Sequence, residues 1–117
     1  MIERIKFNGR FNQAVITNGI LFLAGQTGTD AGDDIVSQTR KTFEKIDASL
    51  EAYGSDKCHI LRADVYIRDT ADVDEFNKLW EEWVDPAAAP TRALMVSALG
   101  RPSIKVEIVV IAAVKEK

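Results

Sequence analysis

The chain has 117 residues, of which 46% are hydrophobic, and a formal net charge of -3 with an isoelectric point near 5.1. This length suits one domain spanning residues 1–117. The acidic balance argues against a broad electrostatic hold on nucleic acid, which requires clustered Lys and Arg. No apolar run reaches membrane-spanning length and no leader-like segment opens the chain, so we expect a cytoplasmic protein.

Cys58 is the sole cysteine and His59 the sole histidine. A lone cysteine forms no internal disulfide or structural zinc site, so Cys58 is expected to be a small, half-buried side chain. Any catalytic Ser–His–Asp triad or Cys–His pair would have to use His59. Its sequence neighbour Cys58 does not help, because adjacent residues on a strand face opposite sides. Any catalysis by this chain must therefore use carboxylates, arginine, backbone groups or water.

The first third of the chain predicts a β-hairpin followed by a helix. Apolar runs flank Asn18-Gly19, the favoured two-residue hairpin turn, so two strands are expected within 12–24. The helix is expected to begin after Asp33 or Asp34, which can cap free N–H groups, and to end at Gly54. Its predicted buried stripe repeats at intervals of three and four residues and consists of Val36, Thr39, Phe43, Ile46, Leu50 and Tyr53.

The middle of the chain predicts a strand and a second helix. Polar and apolar residues alternate over 60–68, which is typical of a half-buried strand, and Leu61 falls on the apolar side. The helix is expected from about Thr70 or Asp72 to Val84, because the following Asp-Pro pair disfavours helical geometry.

The last third predicts two strands, over 92–99 and 104–114. The second of these is apolar on both faces along its far end. Two helices can cover only one face of a sheet, so the other face is expected to need a cover, and another subunit is the expected one. The order of elements predicts an α+β fold, in which two helices pack on one face of a mixed sheet.

Two charged residues in these strands are candidate site residues. Arg92 begins an apolar strand, and its planar guanidinium matches a carboxylate through two parallel hydrogen bonds. The alternative is an internal ion pair or a side chain that reaches solvent. Glu107 lies inside the last strand and can activate a water as general base. The alternative is an ion pair with Lys105 or another base.

The spacing of these two residues restricts how they can cooperate. If the last two strands formed a hairpin, Arg92 and Glu107 would lie on the order of 13 Å apart, at about 3.3 Å per residue. They could not then share one small substrate. Either these strands are not neighbours, or the site forms between subunits.

The glycines of the segment 25–32 follow neither the G-x-x-x-x-G-K-[ST] nor the G-x-G-x-x-G pattern, so nucleotide phosphate binding is rejected. Gly25 can let the backbone approach a ligand closely.

The chain resembles the Rid proteins, the reactive intermediate deaminases also called YjgF-like, over nearly its whole length. The Pro-x-Arg and Val-Glu-Ile blocks are the most specific matches, and the order and spacing of all the blocks add to them. The matching residues are Gln13, Ala24-Gly25-Gln26, Gln38-Thr39-Arg40, Ala63–Asp69, Phe76-Asn77, Pro90–Ala93 and Lys105–Ile108.

This resemblance implies a chorismate-mutase-like subunit in a homotrimer, with ligand clefts between subunits and no metal or other cofactor. It implies that Arg92 holds the carboxylate of a small metabolite and that Glu107 positions the hydrolytic water. It also implies ligand contacts by backbone near Gly25 and Leu94, and it places Asn77 near the cleft.

The implied reaction is hydrolytic deamination of reactive 2-imino acids, the tautomers of enamines, to 2-keto acids and ammonia, a form of metabolite damage control. An imine is already electrophilic, so the protein need only orient substrate and water and move protons. This suits a chain without a strong nucleophile. No nucleic acid or membrane partner is implied.

The chain departs from the archetypal subgroup at Phe11, where that subgroup carries a tyrosine, and in a shorter loop before Pro90. Both changes lie at the cleft that the resemblance implies, and they bear on which substrate the protein accepts. They leave open a non-catalytic protein that binds or senses a 2-keto acid through Arg92. A nucleic-acid role is a third alternative, against which the acidic charge counts.

Overall fold

A computed structural model describes residues 1–116 and contains a seven-stranded sheet and two α-helices. The elements, in chain order, are β1 (Glu3–Phe7), β2 (Asn12–Thr17), β3 (Ile20–Leu23), β4 (Gln26–Thr27), α1 (Ile35–Ala52), β5 (Ile60–Ile67), α2 (Val73–Trp83), β6 (Thr91–Val96) and β7 (Val106–Ala113).

The strand order in the sheet is β1-β2-β3-β7-β5-β6, and the short β4 also pairs with β7. β6 runs parallel to β5, whereas the other neighbouring pairs are antiparallel. The predicted mixed α+β sheet is therefore confirmed. The last two strands of the chain are not neighbours, because β5 lies between them.

The core lies between the sheet and the two helices. On β7, alternate residues from Val106 to Ala112 are at most 1% exposed and face the helices. The other side of the sheet, which we call the open face, carries the residues that alternate with these. There Val15, Phe22 and Ile111 lie side by side on β2, β3 and β7, and Phe22 is 41% exposed. Within one subunit this apolar surface has no cover.

The residues predicted to begin and end the first helix do so at both ends of α1. The Asp34 carboxylate accepts a hydrogen bond from the Ser37 N–H at 2.9 Å, and Gly54 takes a left-handed φ of 83° just beyond the helix. Among residues 1–116, neither helix is both long enough and apolar enough to cross a lipid bilayer.

Some expectations about the strands were wrong. Leu61 is 46% exposed instead of facing the core, because a register shift between Ile60 and Arg62 turns it outward. The strands expected over 92–99 and 104–114 are shorter than predicted. β1 and β4 have no counterpart in the prediction.

The side chain of Gln38 on α1 is fully buried and forms hydrogen bonds with two other segments of the chain. Its Nε2 donates to the carbonyls of Gly32 and Ser103, both at 2.9 Å, and its Oε1 accepts from the N–H of Lys105 at 2.9 Å. These bonds hold the loop before α1 against the entry to β7. The Lys105 N–H is bound to Gln38, and β7 begins at the next residue, Val106, instead of at the predicted residue 104.

Gln38→Leu should lower the free energy of unfolding by about 3 kcal/mol, because three backbone groups lose their partner. Urea denaturation measures this change. Arg40→Leu, at an exposed position two residues along the same helix, is the matched control and should change stability by less than about 0.5 kcal/mol. Equal denaturation midpoints for the two variants would contradict the role of Gln38.

Candidate functional site

Arg92, the second residue of β6, extends across the helix side of the sheet edge and lies against α2. Its Nη1 donates a hydrogen bond to Asn77 Oδ1 at 2.9 Å. The guanidinium carbon lies 5.1 Å from the ring centroid of Trp80 and 6.0 Å from that of Phe76, a cation–π arrangement. The two rings and the amide together fix the plane of the guanidinium.

The charge of Arg92 is not neutralised within the subunit. No carboxylate of residues 1–116 lies within ion-pair distance of it. Burial lowers the pKa of Arg92, and the more distant Glu81 carboxylate opposes this effect. Arginine nevertheless stays charged in proteins. A half-buried cation with a neutral partner is a suitable anchor for an anion. Of the two alternatives given above, the internal ion pair is wrong for residues 1–116.

Glu107 occupies the second position of β7 and points to the open face. The strand is paired on both sides there, with Thr27 of β4 and Tyr66 of β5. Lys105 does not neutralise the carboxylate, because its Nζ lies 3.4 Å from Asp69 Oδ2 and 3.9 Å from Asp72 Oδ2 instead. That pairing, the alternative weighed above, is wrong.

Gly25, in the connection between β3 and β4, makes room for Glu107. A Cβ atom at Gly25 would overlap Glu107 Oε2 and lie 3.1 Å from Glu107 Cδ. The expectation was that Gly25 lets a ligand approach the backbone. In the subunit, the group that approaches Gly25 closely is the Glu107 carboxylate. Glycine at this position therefore sets where the carboxylate can lie.

Phe11 lies with Gly25 and Glu107 around a hollow of about 430 Å³ on the open face. Val15 and Phe22 form its apolar wall. Phe11 is 52% exposed, and its backbone is fixed by a turn in which the Asn8 carboxamide accepts from the Phe11 N–H at 3.1 Å. We call this space the apolar hollow.

Arg92 and Glu107 lie on opposite faces of the sheet in one subunit. In register, Arg92 pairs with Ala63, and Ala63 pairs with Val110, three residues from Glu107. At about 4.8 Å per strand and 3.3 Å per residue the two positions are roughly 14 Å apart in the sheet. One subunit therefore cannot bring the two side chains to one small substrate, although the two strands are not neighbours.

Leu94 lies two residues after Arg92 on β6, and its half-buried side chain packs against the core. β6 is an edge strand that pairs only with β5, so part of its backbone N–H and C=O groups is free to bind a ligand or another chain. The structure thus groups Arg92, Asn77 and Leu94 at the sheet edge. It groups Phe11, Gly25 and Glu107 on the open face.

The lone cysteine and histidine lie apart from both groups. Cys58 is exposed, contrary to the expected half-buried position, because it sits in a short turn before β5. His59 Nδ1 lies 2.6 Å from Asp56 Oδ1, and this hydrogen bond holds the pKa of Asp56 below its ordinary value. In residues 1–116 no three His, Cys, Asp or Glu side chains converge as a metal site, and the expected absence of a metal stays a prediction.

The fold and these two groups define a small α+β subunit with an arginine at a sheet edge that has no carboxylate partner among residues 1–116. Residues 1–114 match the sequence model of the endoribonuclease L-PSP family, and the chain belongs to this family, whose members are also called YjgF or Rid proteins. A RutC family protein from Haemophilus ducreyi is 43% identical over 117 residues and covers 100% of both chains. RutC family protein YoaB of Escherichia coli is 40% identical over 114 residues, 97% of this chain and 98% of its own.

Solved structures agree with this assignment. A YjgF family member from Neisseria meningitidis superposes with a TM-score of 0.95 at 35% identity, covering 100% of this chain and 98% of its own. A Rid family protein of unknown function from Yersinia pestis superposes with a TM-score of 0.87 at 30% identity, covering 97% of this chain and 100% of its own.

Asn77→Asp should weaken the binding of a 2-keto acid such as 2-oxobutanoate at least tenfold, because the new carboxylate would neutralise Arg92 at the distance that Asn77 now occupies. Isothermal titration calorimetry measures the affinity. Ala48→Asp, which adds the same charge at an exposed position of α1, is the control and should bind normally. Equal affinity in Asn77→Asp and the control would contradict an anchoring role for Arg92.

Proposed function

We propose that the protein is an imine deaminase that hydrolyses 2-imino acids to 2-keto acids and ammonia, without a cofactor. The observation that carries the proposal is the Arg92 guanidinium, held by Asn77 and aromatic rings with no carboxylate partner among residues 1–116. Such a group binds the carboxylate of a 2-imino acid bidentately and orients its C=N bond. Membership of the YjgF and Rid family supports this choice of substrate class.

The chemistry balances with water as the only co-reactant. Glu107 accepts a proton from water while the oxygen adds to the imine carbon, and the C=N electron pair moves to nitrogen, which takes up a proton. The proton borne by Glu107 then passes to the amino nitrogen, the C–N bond breaks and ammonia leaves. The hydroxyl group forms the C=O bond by releasing its proton to solvent, which replaces the solvent proton that nitrogen took up in the addition step. Arg92 holds the carboxylate throughout.

The proposed site lies between two copies of the chain. Arg92 and Glu107 face opposite sides of one sheet, so the Arg92 of one copy must meet the Glu107 of another. The uncovered apolar residues of the open face support such contact. Three copies arranged head to tail form a closed ring with three equivalent sites, the homotrimer that the resemblance implies.

Arg92→Ala should reduce kcat/KM for 2-iminopropanoate, generated in situ from alanine by an amino acid oxidase, by roughly a hundredfold or more, because charge-assisted bonds to the carboxylate are lost. Glu107→Gln should reduce kcat by about 10²-fold or more, because its amide cannot accept the proton. The decay of the imine measures both rates. Arg40→Ala, which removes an exposed arginine of α1, is the control.

Mixing the two inactive variants tests whether the site is shared. Co-refolded Arg92→Ala and Glu107→Gln subunits should regain about a quarter of wild-type activity, because one site in four then joins an intact Arg92 to an intact Glu107. No recovery in demonstrably mixed oligomers would place both residues within one subunit's site and overturn the proposed arrangement.

Gly25→Ala should lower kcat more than it raises KM, because the added methyl group would displace the Glu107 carboxylate while leaving Arg92 in place. Steady-state kinetics and a thermal melt measure activity and folding. Gly100→Ala is the matched control, since a Cβ there meets no atom within 4 Å. A drop confined to the melting temperature, with unchanged kcat, would contradict the role given to Gly25.

The competing function is the binding of a 2-keto acid without turnover. The apolar Phe11 is the observation that favours it, because its ring cannot donate a hydrogen bond to a reacting group. Binding of 2-oxobutanoate that depends on Arg92, combined with no acceleration of imine decay by the wild-type protein, would establish this alternative.

A further inference from the structure

We infer that Lys45 of α1 is a positioning residue for the proposed reaction, because it holds β4 at the place where β4 and Gly25 set the Glu107 carboxylate. The inference rests on the proposed deaminase function and adds a residue to it. Lys45 belongs to none of the sequence blocks on which the family resemblance rests.

The Lys45 ammonium reaches from α1 to the end of β4. Its Nζ donates a hydrogen bond to the Thr27 carbonyl at 3.0 Å and another to Asp30 Oδ1 at 2.9 Å. Thr27 is the last residue of β4, and Asp30 lies in the short 3-10 turn Thr29–Ala31 that follows. The ammonium group therefore fixes both the strand and the turn to the helix through charge-assisted hydrogen bonds.

β4 is short and lies beside the proposed base. It consists of two residues, and within residues 1–116 it pairs with β7 alone. Thr27 stands opposite Glu107 in this pairing, and Gly25 directly precedes the strand. The Glu107 carboxylate packs so closely against Gly25 that no Cβ atom would fit between them. A shift of β4 would therefore move the backbone against which the carboxylate rests.

Lys45 and Gln38 hold different parts of the connection between β4 and α1. Gln38 binds the carbonyl of Gly32, five residues after Thr27, and is fully buried. The side chain of Lys45 is 35% exposed, and an ion pair at such exposure contributes little to global stability. The loss of Lys45 should therefore displace β4 locally and leave the fold intact, which separates a positioning role from a structural one.

Lys45→Met removes the ammonium group and keeps most of the length of the side chain. We expect kcat for 2-iminopropanoate to fall about tenfold, because a displaced Glu107 carboxylate activates water poorly, and KM to change less than about twofold, because Arg92 is untouched. Lys45→Arg keeps a charged donor and should hold kcat within about threefold of wild type. Lys41→Met is the matched control, since it removes an ammonium of similar exposure, 33%, one turn earlier on α1, where the partner is Glu44.

A double-mutant cycle tests whether Lys45 acts through Glu107. Glu107→Gln already lacks the base, so adding Lys45→Met to it should lower kcat by less than about twofold, against about tenfold in the wild-type background. An equal loss in the two backgrounds would overturn the inference, because Lys45 would then act independently of Glu107.

The outcomes separate this inference from the proposed function. If the wild-type protein accelerates no imine, the proposed function fails and the inference fails with it. If the wild-type protein is active and Lys45→Met has the same kcat as Lys41→Met, only the inference fails. A thermal melt completes the test, since a fall in kcat that is matched by a smaller folded fraction at the assay temperature would also overturn the inference.

Discussion

The buried carboxamide of Gln38 is the contact on which the geometry of the open-face group depends. It binds both the loop before α1 and the segment that leads into β7, so one side chain fixes the two pieces of chain that flank β4 and Glu107. β4 pairs with Glu107 through Thr27, and Gly25 precedes β4 directly. A polar side chain that never reaches the surface therefore fixes the backbone on both sides of the space where Gly25 admits the Glu107 carboxylate.

The alternation of side chains along a strand then explains why one subunit carries Arg92 and Glu107 on opposite faces of its sheet. Ala63 and its partner Arg92 project to the helix side, where α2 supplies Asn77 and Trp80. Glu107 alternates with buried neighbours and must project to the other side. No rotamer change can bring the two charges together across a sheet. Under the proposed function, strand geometry therefore requires a second copy to bring Arg92 and Glu107 to one substrate, and the exposed apolar surface supports the same arrangement.

Local signals in the sequence were sufficient for the helices and the central strands, because a cap, a left-handed glycine and an alternating pattern act over a few residues. β1 was missed because it is almost entirely exposed and its apolar alternation is limited to Ile5 and Phe7, and β4 because it has two residues. In the sequence, Gln38 is one polar residue of a helix. Its hydrogen-bond partners lie up to 67 residues away along the chain, so no local pattern indicates its role. Asn77 was named only through the resemblance, and the proximity of Gly25 to Glu107 was not predicted, since these residues and their partners are joined only by the folded topology.

Arg92 illustrates how the fold accepts a local cost at a binding position. Burial lowers its pKa, and Asn77 and Trp80 compensate the charge only in part, because an amide dipole and a ring quadrupole are weaker partners than a carboxylate. A carboxylate in place of Asn77 would stabilise the subunit but would occupy the anion position. The neutral partner therefore leaves the charge of Arg92 without a counter-charge in the subunit, and under the proposed function the substrate carboxylate supplies it.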